Sequence, residues 1–109
     1  MKAILIDALK KEVREVESPD DFMETRRHLN CDGLELVRLI PDKDSPVVDI
    51  YIDEFGQGKD IGVVGSFKVT GIPHPIIGNG LVVGTEIWTG EMIDTHLSVD
   101  DVKKMVVFL

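Results

Sequence analysis

The chain has 109 residues, enough for one modest core, and its 43% apolar and 29% charged residues describe a globular domain rather than a disordered segment. Its 20 acidic residues against 12 basic ones give a net charge of −8, a surface that a polyanionic duplex would repel, so direct nucleic-acid binding is disfavoured. The lone Cys31 excludes an internal disulfide, no Cys or His pairs have zinc-ligand spacing, and neither a secretory signal pattern nor a membrane-spanning apolar run is present; a single domain (1–109) in a reducing, cytoplasmic setting is expected.

In chain order, Ala3-Ile4-Leu5-Ile6 reads as a strand apolar on both faces, typical of a covered sheet. Leu5, Leu9, Val13 and Val16 fall at helical spacing, but a hairpin turning near Ala8 to Lys11 fits Val13 and Val16 almost as well and is the preferred reading of Ala8–Glu17. Ser18-Pro19-Asp20-Asp21 is a helix start: a capping hydroxyl, a proline at the first helical position, and acids at the positive end of the dipole. That helix should run from about Pro19 to Asn30, where Asn30-Cys31-Asp32-Gly33 closes it.

Leu34 to Ile40 and Val48 to Asp53 read as strands joined by the polar, proline-flanked turn Pro41 to Pro46. In the second strand Val48, Ile50 and Ile52 share one face and Asp49, Tyr51 and Asp53 the other, so the aliphatic face should meet the core and the acidic face water. Phe55 to Asp60 reads as a mobile connection, and Ile61 to Val69 as one or two short strands interrupted at Gly65. Another strand is expected over Gly80 to Ile87, and a turn over Trp88 to Thr95. Ser98-Val99-Asp100-Asp101 then forms a capping box opening a helix over Val99–Leu109 with Val99, Val102, Met105, Val106 and Leu109 on one stripe. The fold class is α+β: a small, mostly antiparallel sheet packed by two helices.

Three stretches carry a resemblance: Asn30-Cys31-Asp32-Gly33 opening a strand, Asp49-Ile50-Tyr51-Ile52-Asp53-Glu54-Phe55-Gly56, and Pro73-His74-Pro75-Ile76-Ile77-Gly78-Asn79-Gly80-Leu81-Val82-Val83-Gly84. In these the chain resembles a small family of uncharacterised proteins of bacteriophages, prophages and other mobile elements, a domain of unknown function. The resemblance implies a phage or mobile-element origin and life in the host cytoplasm, and it transfers no catalytic or binding residue.

The candidate interaction residues are Asp49, Tyr51, Asp53, His74 and Trp88. Asp49 and Asp53 lie on one strand face, but four residues of strand hold their α-carbons roughly 13 Å apart, too far for one ion. Tyr51 between them can serve recognition or cross-strand packing. His74 sits between prolines in an extended segment, and Trp88 ends a strand among polar residues, an interface anchor if exposed. His28 and Cys31 at a helix C-terminus have structural roles there, since the dipole sign there does not stabilise a thiolate. Gly56-Gln57-Gly58 and Gly78-Asn79-Gly80 lack the strand–turn–helix context of a phosphate cradle.

No catalytic constellation and no cofactor motif can be assembled from these residues, so the expected function is non-enzymatic: an accessory protein that binds a host or phage protein. Two alternatives remain open, an acidic anti-defence inhibitor that mimics DNA and a small-molecule or nucleotide-binding domain. Open sheet edges also allow a homodimer.

Overall fold

The computed structural model describes residues 1–17, 22–40 and 47–109. The sequence-predicted cap at Ser18–Asp21, the start of the first helix and the turn at Pro41–Pro46 lie outside these residues.

The elements are β1 (Lys2–Asp7), β2 (Glu12–Glu17), α1 (Phe22–Leu29), β3 (Leu34–Ile40), β4 (Val47–Asp53), α2 (Ile61–Val64), β5 (Ser66–Val69), β6 (Ile76–Ile77), β7 (Gly80–Thr85), β8 (Met92–Ile93), α3 (Val99–Met105) and β9 (Val106–Phe108). The α+β class expected from the sequence is the one observed. The larger sheet has the order β2-β1-β7-β4-β3, with β8 paired to the end of β7, and a small second sheet has the order β6-β5-β9; every pairing is antiparallel. No helix among the described residues is long and apolar enough to cross a membrane.

The β1–β2 hairpin is the preferred sequence reading. It places Ala3 to Ile6 in full burial, because β1 is flanked by β2 and β7 and covered on both faces. One face of the large sheet, through Ile4, Ile6, Val48, Ile50, Ile52 and Val82, packs on the small sheet (Phe67, Val69, Ile76) and on Val102 of α3. Burying each such aliphatic or aromatic side chain contributes roughly 1.5–3 kcal/mol. The opposite face, through Leu5, Tyr51, Leu81 and Val83, lies under α1, whose Leu29 joins the cluster.

Three sequence expectations are corrected. The last helix ends at Met105, and Val106–Phe108 is a strand: it pairs with β5 through Val69↔Val106 and Phe67↔Phe108. The β-branched run Val106-Val107 satisfies a two-residue period as well as a helical one, and a free strand edge decides between them. Ile61–Val64 is a helical turn rather than a strand, because Asp60 accepts a hydrogen bond from the Gly62 N–H at 2.9 Å and Gly65, at φ +77°, closes it. A side chain at Gly65 would also stand 2.6 Å from the Ala8 carbonyl carbon, so glycine is required where this turn meets the β1–β2 hairpin.

The third correction concerns β4. Val48, Ile50 and Ile52 face the core as expected, but Asp49, Tyr51 and Asp53 are buried instead of facing water. α1 lies over that face, and cations from two other segments reach the acids.

Elsewhere the helix ends behave as their residue types require. Asn30 adopts φ +52°, and the N–H groups of Asn30 and Cys31 return to the carbonyls of Arg27 and Arg26. At α3 the Ser98 hydroxyl accepts from the Asp101 N–H and the Asp101 carboxylate accepts from the Ser98 N–H, a complete capping box.

Candidate interaction surface

The three candidate residues on β4 are committed to the fold. Asp49 is 1% exposed, and Arg38, directly across the β3–β4 ladder, donates its Nε–H to one carboxylate oxygen at 3.0 Å. The hydrogen bond and then the charge of Asp49 raise the Arg38 pKa. Tyr51 stands between Leu36 of β3 and Leu81 of β7 in the cluster under α1. Asp53 accepts from the Phe55 N–H at 2.9 Å and from the Lys59 ammonium at 2.5 Å. The Asp53 hydrogen bond is the main cause that raises Lys59. Asp49 and Asp53 are thus each paired with a cation of the chain itself.

The other two candidates are exposed and lie apart. His74 accompanies Glu35, Ile52, Asp53, Glu54 and Ile76 around an open depression of about 390 Å³, so the structure brings His74 and Asp53 to one place. Trp88 is 87% exposed and sits beyond the C-terminal end of β7, whereas the depression lies toward the N-terminal end of that strand. Its own N–H is held by the Glu86 carboxylate at 3.3 Å, which fixes the turn and leaves the indole in solvent.

A second depression, of about 260 Å³, opens at the same end of the sheet as His74, where β1 and β4 finish and β7 begins. Asp7, Asp53, Lys59, Lys10, Asn30 and Asn79 supply its polar side. Most of these groups are engaged: Asp7 accepts from the Lys10 N–H and from Arg14, and Asn79 accepts from the Ala8 N–H. Its rim is apolar. Leu9, from the β1–β2 turn, and Val63, from α2, both line the depression and are 59% and 65% exposed; Ile61, on the same helical turn, is 52% exposed. α2 buries none of its residues.

The sequence does not disclose this apolar rim, because it reads as one or two short strands over Ile61 to Val69, whereas Ile61–Val64 forms a helical turn. The cap pair Asp60 and Gly65 was the available signal: a helical turn of four residues cannot bury all three of its aliphatic side chains.

Among the described residues no three His, Cys, Asp or Glu side chains converge as metal ligands. Burial first, and then Asp53, push the Cys31 thiol up, and its Sγ–H is directed to the Gly33 carbonyl at 3.2 Å, a packed and unreactive setting.

Comparison with known protein families, characterised proteins and solved structures finds no match to this chain.

Proposed function

We propose that this protein is a non-enzymatic accessory protein, of phage or mobile-element origin as the sequence resemblance implies, that acts by binding another protein. The observation that carries the reading is the exposed apolar rim formed by Leu9 and Val63 at one end of the sheet. Isolated exposed aliphatics are ordinary, but Leu9 and Val63 on two adjoining turns, beside a depression with a charged floor, form the kind of patch that proteins cover with a partner. Support for a non-catalytic role comes from the acids at this end: Asp7 and Asp53 each have both carboxylate oxygens engaged, one by a cation and one by a backbone N–H.

A small-ligand site is the second reading, favoured by the polar half of the same depression, where Lys10, Lys59, Asn30 and Asn79 meet. The DNA-mimic reading has less support, because Asp49 and Asp53 contribute buried, paired charge rather than an acidic surface.

The test is affinity capture from bacterial host lysate with tagged protein, a Leu9→Ser/Val63→Ser variant and a Trp88→Ala variant. A stoichiometric partner retained by Trp88→Ala and lost from Leu9→Ser/Val63→Ser is the expected outcome. A partner that binds the rim variant unchanged would refute the assignment of the surface. Absence of any partner, together with a nucleotide-dependent rise in melting temperature, would replace the reading by the small-ligand one.

A further inference from the structure

The two outer strands of the large sheet are defended very differently. β2 carries Glu12, Arg14, Glu15 and Glu17, a row of charges that discourages strand addition. β3 carries Leu34, Glu35, Leu36, Val37 and Arg38 before its last two aliphatics, and among the described residues its one bonded neighbour is β4. Its outer row of N–H and C=O groups can be satisfied in full by another strand. The regular part of this edge has defined limits. Pairing with β4 runs without interruption from Leu34↔Asp53 to Arg38↔Asp49, and a bulge follows between Arg38 and Ile40. A bulge bends and twists its strand, so the usable edge is the five-residue stretch Leu34–Arg38.

We propose that this edge is where a second copy of the chain binds, by antiparallel β3–β3′ pairing about a two-fold axis through Leu36. A two-fold perpendicular to a sheet maps each face onto itself, so residues facing each other across it must come from the same face. Centring on Leu36 satisfies that rule and uses the whole regular stretch: Leu36 meets Leu36′, Leu34 meets Arg38′, and Glu35 meets Val37′. Centring on Val37 runs Leu34 into the bulge of the other copy. Centring on Glu35 or Arg38 would oppose like charges directly. Leu36 is 45% exposed, and the axis covers it with its own copy.

Charge complementarity favours the same register. Arg38′ opposite Leu34 is a diagonal neighbour of Asp32, within reach of a long side chain. Arg38 spends its Nε–H on Asp49, and among the described residues its terminal N–H groups have no hydrogen-bond acceptor, which leaves them for a second carboxylate. Asp32 is exposed, and its backbone carbonyl, not its carboxylate, is the group bonded to Arg26. The symmetry makes this attraction twice.

Sedimentation equilibrium and cysteine cross-linking test the proposal. The wild type should sediment at twice the chain mass. Leu36→Glu, which opposes two carboxylates at the axis, should sediment at one chain mass with an unchanged circular dichroism spectrum. In a Cys31→Ser background, Leu36→Cys should form an intermolecular disulfide under mild oxidation, because directly opposed antiparallel residues have α-carbons about 4.5–5.5 Å apart, inside the range a disulfide spans. Lys68→Cys, exposed on the other sheet, should not. A wild type at one chain mass overturns the proposal and leaves the edge to a strand of a different protein. A dimer that survives Leu36→Glu, or equal cross-linking at positions 36 and 68, overturns it as well.

Discussion

The two faces of the large sheet are built on different chemistry. Toward the small sheet and α3 the side chains that the sheet buries are aliphatic, packed on Phe67, Val69, Ile76 and Val102. Toward α1 it buries Asp7, Asp49, Asp53 and Thr85 among Leu5, Tyr51, Leu81 and Val83. An apolar face is specified by volume, and many pairings of aliphatic strands would fill the same space. The ionic face is specified by partner. Asp7 holds Arg14 of β2 and Asp49 holds Arg38 of β3, which ties each strand to one neighbour in one register, and Asp53 holds Lys59, which ties the end of β4 to the segment that follows it. In some proteins buried polar groups contribute more to the uniqueness of a fold than to its stability, and that division of labour is our hypothesis for these two faces.

The strongest way to break the contrast is on the dry face. Phe67 is fully buried between the sheets, and Phe67→Ala should lower the unfolding free energy by about 3–5 kcal/mol, seen as a fall in the urea midpoint with an unchanged slope. A cost under about 1 kcal/mol would mean that the two sheets do not share a core of this kind.

A smaller effect is expected from the ion pair, with a sign that depends on what accompanies it. Arg38→Met should lower the melting temperature by leaving Asp49 buried without a cation, and adding Asp49→Val should recover the loss, because an apolar pair of similar volume is often neutral or stabilising. One Asp49 oxygen and the Thr85 hydroxyl already have no hydrogen-bond partner among the described residues, which adds to the cost of keeping the acid there. A double variant no more stable than Arg38→Met alone would show that the pair is not the cause.

The smallest effect is a pH dependence. Lys59 is raised by its hydrogen bond to Asp53, so its contribution is fully present below the ordinary lysine value of about 10.4 and is lost as pH rises through the higher folded-state value. Melting temperature followed into the alkaline range should fall more steeply for the wild type than for Asp53→Asn. Parallel curves would place the alkaline loss elsewhere.

How far this arrangement could be read from sequence follows the same division. Alternation in β4, the capping box at Ser98 to Asp101 and the left-handed stop at Asn30 are local, and local rules located them. The alternation Val48, Ile50, Ile52 correctly marked the dry face, because an apolar face needs only a period of two. The same period sent Asp49 and Asp53 to water, because nothing near them in sequence announces that Arg38 and Lys59 will stand beside them under a helix. Val106–Phe108 failed for a related reason: its partner, β5, lies far away in the chain, and pairing of that range leaves no mark on either segment alone. Of the candidate surface, His74 was legible through its extended setting between prolines, the exposure of Trp88 was left open by its sequence, and the Leu9–Val63 rim required knowing that the β1–β2 turn meets α2.

The place of β7 has a kinetic consequence. Val82 pairs with Ile4 on one side and with Ile50 on the other, and among the described residues β7 is the strand that joins the β1–β2 hairpin to the β3–β4 pair. Each half of the sheet can close over a short stretch of chain, but the halves become one sheet only when a strand from much later in sequence slots between them. Loop closure of that length must precede the contacts that reward it, which places this topology among slow and cooperative folders. Until residues 80–85 arrive, the apolar inner edges of both hairpins stand open, and a chain interrupted before them would offer two adhesive strands in place of one buried centre.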